Sequence, residues 1–175
     1  MTIASAQPSA PVTRAFDLPD EAATQALGRA LATMLEVGDF VALTGDLGAG
    51  KTALARAIIQ ARFGAGGADE DVPSPTFTLV QTYETPDLLI THVDLYRIEA
   101  PEDARELGLA EALDEGAMLM EWPDRLGPLP ATRLDIVLTL GATPANAASG
   151  TDTTPRRATL TGHGAWGPRL AALKL

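Results

Sequence analysis

The sequence predicts an α/β fold: a three-layer domain built on a mixed central β-sheet that contains a β-hairpin. The first reason is that short apolar, strand-like runs alternate along the chain with segments whose apolar residues recur at helical spacing. The second is a pair of strand-like segments, 76–83 and 88–94, joined by the turn Thr85-Pro86-Asp87. Such a hairpin interrupts the strand–helix alternation, so parallel and antiparallel pairs are expected in one sheet between helical layers.

Length and composition are typical of a single globular domain. The chain has 175 residues, 46% of them hydrophobic, and a domain usually has about 100–200 residues. It contains no cysteine and two histidines, which excludes disulfides, thiolate catalysis, zinc–thiolate sites and histidine-rich metal centres. The N-terminus lacks a secretory signal pattern, and no apolar run approaches the roughly 18 residues of a membrane span. We therefore expect a cytoplasmic protein with no membrane partner.

Composition also divides the chain into segments. Residues 1–15 are rich in Ala, Ser and Pro, and we expect them to form a disordered N-terminal segment. Residues 16–175 are expected to form one domain. Within it, the low-complexity run 141–155 is expected to be a flexible excursion between two strands.

The first elements follow from helix signals and apolar spacing. Pro19 opens a helix, because proline suits a first helical turn, and apolar residues recur at helical spacing until Gly38. Residues 40–44 are predicted to form a short buried strand, and residues 53–63 a helix. The glycine-rich, acidic run 64–74 is predicted to be a mobile loop outside the core.

Further elements are predicted on the C-terminal side of the hairpin. They are two short helices, a strand ending in a carboxylate, a longer strand, a returning strand and a closing helix, at residues 101–107, 109–113, 117–122, 134–140, 157–161 and 166–173, respectively.

A glycine-rich loop joins the strand 40–44 to the helix 53–63. Its sequence, GDLGAGKT at 45–52, matches the phosphate-binding pattern G-x-x-x-x-G-K-[ST] without a mismatch. In such a loop, backbone N–H groups converge on phosphate oxygens at a helix N-terminus. Lys51 is expected to reach the β- and γ-phosphates, and the Thr52 hydroxyl to take a Mg²⁺ position. We therefore predict a P-loop NTPase domain with the nucleotide-binding residues Gly45, Leu47, Gly48, Ala49, Gly50, Lys51, Thr52 and Ala53.

Two features of composition bear on the nucleotide. The chain has two lysines, Lys51 and Lys174, so one of them occupies the loop position where a compact ammonium must meet phosphate. GTPases usually specify guanine with an Asn-Lys-x-Asp loop, whereas the single asparagine here, Asn146, has no lysine beside it. ATP with Mg²⁺ is therefore the expected ligand.

Three further side chains are candidates for chemistry. Asp94 and Glu121 each end a predicted strand, and ligands of open α/β sheets bind outside the carboxyl ends of strands. They could hold Mg²⁺ or orient an attacking water, or they could be ordinary acids facing solvent. Thr76 could be a switch that senses γ-phosphate, or only a turn hydroxyl. His92 is interpreted as a strand side chain, since the sequence sets no acid around it.

The formal charge of −10 indicates which partners to expect. Nucleic-acid binding by a free domain normally requires a basic patch or stripe. The one adjacent basic pair here is Arg156-Arg157. Any role at RNA is therefore expected to depend on a partner protein.

Four motifs in order make the chain resemble the TsaE family. They are GDLGAGKT at 45–52, SPTF at 74–77, HVDLYR at 92–97 and EWP at 121–123, and the match covers roughly residues 18–123. The resemblance implies a cytoplasmic Mg-dependent ATPase, weak alone, that supports threonylcarbamoyl modification of the adenosine next to the anticodon in tRNA. It implies partnership with the TsaB–TsaD pair, with tRNA contacted only indirectly.

The resemblance also implies roles for particular residues. Thr76 corresponds to the family's switch-like threonine, Asp94 to its strand-end aspartate and Glu121 to its magnesium-associated glutamate, so Thr52 and Glu121 are the expected metal residues. Two alternatives stay open at this point. One is a small-molecule P-loop kinase, and the other is a nucleotide-dependent regulatory module that does not hydrolyse ATP.

Overall fold

A seven-stranded mixed sheet forms the middle layer of the computed structural model, which describes residues 10–141 and 154–175. In chain order its strands are β1 (Val12–Leu18), β2 (Phe40–Thr44), β3 (Val80–Glu84), β4 (Leu89–Asp94), β5 (Ala117–Glu121), β6 (Arg133–Leu140) and β7 (Arg156–His163). The α-helices of this described part are α1 (Glu21–Ala32), α2 (Lys51–Phe63), α3 (Pro101–Arg105), α4 (Leu109–Glu115) and α5 (Trp166–Ala172).

The spatial order of the strands is β1-β7-β6-β2-β5-β4-β3. The interior strand β2 pairs in parallel with β5 and β6, and β5 pairs in parallel with β4. Antiparallel pairs complete both edges, with the β3–β4 hairpin on one side and β1–β7–β6 on the other. The predicted mixed sheet with a hairpin is confirmed. Because β2, β4 and β5 run parallel, their carboxyl ends lie together at one end of the strands.

Two apolar clusters fill the spaces between the layers. The larger cluster lies between one face of the sheet and the helices α1, α2 and α5, and it includes Trp166, with the partly buried Phe63 packed against it. The smaller cluster lies on the other face under α3 and α4, and it includes Phe40 and Met118. Because helices cover both faces, the central strands are buried at nearly every position, which is typical of parallel sheets.

Close packing of α1 on α2 sets the position of the helix that follows the glycine-rich loop. A Cβ atom added to Gly28 would lie 2.5 Å from the Cβ of Ala57 and 2.9 Å from its carbonyl carbon. Real Cβ atoms do not approach this closely, so a side chain at Gly28 would push α1 away from α2. The glycine therefore lets the two helix backbones meet directly.

A partly buried ion pair ties α5 to the start of β2. The Arg169 guanidinium donates to both carboxylate oxygens of Asp39, with N–O distances of 2.8 and 2.6 Å. Asp39 is 5% exposed, and the hydrogen bond to its carboxylate raises the pKa of Arg169. Such a bidentate pair is among the strongest hydrogen-bonded contacts in proteins, so it fixes the base of the strand that leads into the loop.

The prediction of disorder over residues 1–15 is wrong for its last part. Residues 12–15 belong to β1, which pairs with β7 along its whole length. Most of β1 is exposed or half-buried, so its order comes from pairing with β7, whose partners lie between 138 residues (Leu18–Arg156) and 150 residues (Val12–Gly162) away in sequence. Composition does not report pairing of that kind. Residues 1–9 lie outside the described part.

The expected flexible excursion at 141–155 falls mainly on residues 142–153, which also lie outside the described residues. Its two ends are held together, because the Gly141 N–H donates to the Pro155 carbonyl at 2.7 Å. This bond continues the β6–β7 ladder by one step.

Two local predictions are also corrected. The first hairpin strand begins at Val80, not at Thr76, because residues 76–79 form a turn in which Leu79 has a φ of 65°. The run 64–74 is not wholly a loop outside the core. It begins with a 3₁₀ helix at Gly64–Asp69, and the side chain of Val72 is buried in the larger cluster.

Among the described residues, none of the helices combines the length and the apolar character that crossing a bilayer would require.

Candidate functional site

The glycine-rich loop connects the carboxyl end of β2 to the N-terminus of α2. Gly45, Gly48 and Gly50 have φ values of 148°, 81° and 102°, in a region that side-chain-bearing residues rarely adopt. A Cβ atom on Gly45 would lie 2.4 Å from the Leu138 carbonyl oxygen of β6. The loop path therefore requires glycine both for its conformation and for its close contact with the sheet.

The N-terminus of α2 presents free backbone donors to this loop. The helix begins at Lys51, and its N-cap residue, Gly50, has no side chain to accept a hydrogen bond from the first turn. The first N–H groups of a helix lack intrahelical partners and carry the positive end of the helix dipole. A phosphate group bound here would accept those N–H bonds.

Lys51 lies folded over the loop and is 4% exposed. Its Nζ donates to the carbonyls of Gly45 at 2.7 Å and Asp46 at 2.9 Å, and it lies 4.1 Å from the centre of the Trp122 ring. An ammonium has three hydrogen-bond donors. Two of them anchor the side chain to the loop, so one remains for an anion.

The electrostatics around Lys51 come from two opposing causes. Burial lowers the pKa of its ammonium, while the carboxylates of Glu121, Asp94, Asp46 and Asp124 act in the opposite direction. Burial is the larger cause. An anionic ligand would relieve the desolvated charge, so the buried lysine favours such a ligand.

Glu121 connects α2 to the neighbouring strands. It ends β5, is 2% exposed, and accepts hydrogen bonds from the Thr52 hydroxyl at 2.8 and 3.0 Å to its two oxygens. The Nε2 atom of His92 lies 2.9 Å from Oε1 of the same carboxylate. Because Thr52 gives its only proton to Glu121, the lone pairs of its oxygen remain free for a cation.

Asp94 is held by a second set of hydrogen bonds. Its Oδ2 accepts from the Thr76 hydroxyl at 2.7 Å, and its Oδ1 accepts from the backbone N–H of Tyr96 at 2.9 Å. The Ser74 hydroxyl lies 2.7 Å from the Thr76 hydroxyl. Asp94 and Glu121 are direct partners in the β4–β5 register, so the two residues lie side by side at the carboxyl ends of these strands.

These side chains line one pocket of about 300 Å³. Its walls bring together predicted site residues from four parts of the sequence: Leu47, Gly48, Gly50, Lys51, Thr52, Ala53, Thr76, Asp94 and Glu121. Two predicted residues do not line it. Ala49 is buried beneath the loop at 1% exposure, and Gly45 contacts β6 instead.

Four residues near the pocket are absent from the predicted set. Ser74, Tyr96 and Trp122 line its walls, and His92 lies behind Glu121. His92 is a buried strand side chain, as interpreted, but an acid from another strand lies beside it: its Nε2 is 2.9 Å from Oε1 of Glu121. A usable signal was present, because His92 and Asp94 are two residues apart on a strand and so point to the same face of the sheet.

The donor set of the pocket fits Mg²⁺ bound together with phosphates. Among the described residues, no group of three or more His, Asp or Glu side chains could hold a metal alone. Mg²⁺ is commonly held by one or two carboxylates with substrate phosphates and waters. Thr52 and Glu121 supply one hydroxyl and one carboxylate at hydrogen-bond distance from each other, which matches that mode.

The family model described as threonylcarbamoyl adenosine biosynthesis protein TsaE matches residues 18–146. Similar proteins carry the name tRNA threonylcarbamoyladenosine biosynthesis protein TsaE. The Rickettsia bellii protein is 41% identical over 124 residues, covering 69% of this chain and 84% of that protein. The Bacillus subtilis protein is 36% identical over 122 residues, covering 69% and 72%.

The Rickettsia felis protein of the same name is 45% identical over 107 residues, and the alignment spans 61% of this chain and 61% of that protein's length. A solved structure, the crystal structure of Bacillus subtilis YdiB, superposes with a TM-score of 0.68 and 28% sequence identity, covering 93% of each chain. The similarity of fold therefore extends beyond the matched sequence into the C-terminal third.

Proposed function

This chain belongs to the TsaE family, and we propose that it is a cytoplasmic, Mg²⁺-dependent ATP-binding and ATP-hydrolysing subunit. It would support threonylcarbamoyl modification of the adenosine next to the anticodon in tRNA, acting through the TsaB–TsaD pair. One observation carries the ATPase part of the proposal. Lys51, Thr52, Asp94 and Glu121, which come from three segments of the sequence, line a single pocket at the N-terminus of a helix.

The loop residues would bind the phosphates. The free N–H groups of the first turn of α2 would donate to phosphate oxygens. Lys51 would add its third donor while its other two stay on the Gly45 and Asp46 carbonyls. Because these two hydrogen bonds hold the lysine side chain before any ligand binds, binding would cost little of its conformational entropy.

The carboxylates would serve metal binding and orientation of water. Thr52 and Glu121 would hold Mg²⁺, which when bound neutralises charge that develops on the phosphates. Asp94 keeps its carboxylate fixed through bonds to Thr76 and to the Tyr96 backbone. Its place beside Glu121 in the sheet register suits it to accept a hydrogen bond from an attacking water.

ATP turnover tests the proposal directly. Hydrolysis should be slow for the chain alone and faster with the TsaB–TsaD pair, and both rates should vanish in EDTA. Absence of turnover with persistent bound ATP would favour the regulatory module instead. Phosphate transferred from ATP to a small metabolite would favour the kinase.

Thr76 links the pocket to an exposed segment, and we expect it to affect partner binding more than nucleotide binding. Its hydroxyl bonds Asp94 inside the pocket, while its neighbour Phe77 is 85% exposed. Thr76→Ala should reduce the ATP-dependent gain in affinity for TsaB–TsaD about tenfold, as for the loss of a charge-assisted hydrogen bond. The affinity for ATP should change less than threefold.

The measurement is the dissociation constant for TsaB–TsaD with and without ATP. Thr78→Ala is the matched control, because Thr78 is an exposed threonine of the same turn. If Thr76→Ala and Thr78→Ala show the same ATP dependence of complex formation, Thr76 is only a turn hydroxyl.

The isolated chain should bind tRNA poorly. Its charge of −10 repels the phosphate backbone. Two of its arginines also have partners of their own: Arg157 pairs with Asp17, and Arg97 lies over the Phe77 ring. A titration of tRNA at physiological salt should give binding far weaker than the roughly 10⁻⁸ M of specific complexes. Tight, salt-sensitive binding by the chain alone would make it a direct RNA-binding ATPase.

A further inference from the structure

We propose that His92 is a positioning residue, whose imidazole fixes the orientation of the Glu121 carboxylate for metal binding at Thr52. The inference rests on the proposed function, since it assigns a task within the same site. His92 contacts neither the pocket nor any ligand position, so it would act only through Glu121.

The geometry places His92 behind the carboxylate. His92 pairs with Leu119 in the β4–β5 register, one two-residue step before Asp94 and Glu121. The imidazole spans this step diagonally, and its Nε2 comes within 2.9 Å of Oε1 of Glu121. His92 is 0% exposed, so the surrounding protein leaves its ring little freedom to move.

The hydrogen-bond inventory indicates which nitrogen carries the proton. An ionised carboxylate only accepts hydrogen bonds, so the Nε2 atom must donate. The Nδ1 atom is buried and has no partner among the described residues. The neutral tautomer protonated at Nε2 leaves an unpaired acceptor, whereas any form protonated at Nδ1 would leave an unpaired buried donor. The imidazole therefore makes its hydrogen bond to Glu121 through Nε2, and its buried Nδ1 is left without a hydrogen-bond partner among the described residues.

A fixed carboxylate matters because the terminal torsion of a glutamate is soft. Thr52 donates to both carboxylate oxygens at nearly equal distances, 2.8 and 3.0 Å, and so does not by itself select one orientation. The bond from His92 to Oε1 does select one. Groups that orient metal ligands in this way typically contribute 10- to 100-fold in metal affinity or activity.

Two variants separate this role from simple packing. The side-chain amide of His92→Gln reaches about as far as Nε2 and can still donate to Glu121, whereas that of His92→Asn reaches only about as far as Nδ1. The matched control is Thr91→Val, because Thr91 is the adjacent buried polar residue, points to the opposite face of the sheet and also has no partner for its hydroxyl.

The readouts are ATP turnover with TsaB–TsaD and ATP affinity by calorimetry in Mg²⁺ and in EDTA. We expect His92→Asn to lose about 10- to 100-fold in kcat and about tenfold in the affinity gained on adding Mg²⁺. Its affinity in EDTA should match that of the wild type. His92→Gln and Thr91→Val should stay within about threefold of the wild type in all of these measurements.

A measurement on the wild type avoids dependence on the folding of any variant. Nitrogen-15 spectra of histidine-labelled protein should show one imidazole, absent in His92→Gln, whose Nε2 carries a proton. An imidazole without a proton on Nε2 would overturn the proposal, as would normal kcat and Mg²⁺ dependence in His92→Asn or equal losses in His92→Asn and Thr91→Val. If the wild type binds no Mg²⁺–ATP, the proposed function fails first and the inference fails with it.

Discussion

Lys51→Ala is expected to abolish measurable ATP binding while leaving the fold intact. The Lys51 ammonium lies at the N-terminus of α2, lines the pocket and has one hydrogen-bond donor left for a ligand. A hydrogen bond to a charged group contributes about 1.5–3 kcal/mol. Loss of that one bond to phosphate corresponds to roughly a 10- to 150-fold loss of affinity, at about 1.4 kcal/mol per tenfold.

The fold should tolerate this change because Lys51 belongs to neither apolar cluster. Alanine removes two hydrogen bonds to carbonyls of the loop and leaves the packing of the sheet and helices unchanged. The matched control is Lys174→Ala, which removes the other lysine from an exposed C-terminal position. Calorimetric titration with ATP measures the affinities, and thermal unfolding monitors the fold. Wild-type affinity in Lys51→Ala would contradict the phosphate-loop assignment.

Glu121→Gln is expected to lose at least about 100-fold in ATP turnover and at least about tenfold in the affinity gained on adding Mg²⁺, while binding ATP in EDTA within about threefold of the wild type. The substitution removes the negative charge that would hold Mg²⁺, whereas the phosphate-binding loop, which would supply the affinity measured in EDTA, is unchanged. Glutamine keeps the size of the side chain and can still accept the hydrogen bond from His92. The loss should therefore appear in kcat and not in stability.

A control and a companion variant sharpen that test. Glu84→Gln removes an acid from the end of β3 that is exposed to water, and its turnover should match the wild type. Asp94→Asn should behave like Glu121→Gln, because the two carboxylates are register partners at the same sheet edge. Normal hydrolysis by either site variant in the presence of TsaB–TsaD would show that the residue is only a strand-end acid.

The hydrogen bonds suggest how nucleotide state could be transmitted. Asp94 bonds to Thr76, and Thr76 contacts Ser74 in the segment that precedes the hairpin. Phe77 in the same segment is exposed. A group that enters the pocket and competes for Asp94 would alter the bonds that hold this segment. This provides a physical route from phosphate state to partner affinity.

The sequence alone determined the local parts of this protein. The loop at 45–52 was predicted because its glycines, Lys51 and Thr52 are contiguous, and the backbone conformations that such a loop requires are set by neighbouring residues. Most strands and helices were predicted from apolar periodicity, because that pattern is also carried by neighbouring residues of one segment. Position at a strand end left Asp94 and Glu121 as either site residues or ordinary acids facing solvent. The family resemblance then favoured the site roles.

The tertiary structure decided what depends on register between distant segments. Glu121 meets Thr52 across 69 residues of sequence, and His92 meets Glu121 across 29. The order of β1 depends on β7. Strand pairing brings these residues together, and which strands pair depends on the free energy of the whole sheet and of the two apolar clusters packed on it. No single segment carries that information. Strand alternation places His92 on the same face as Asp94, but only the pairing of β4 with β5 brings it to Glu121, and composition could not reveal the strand at residues 12–18.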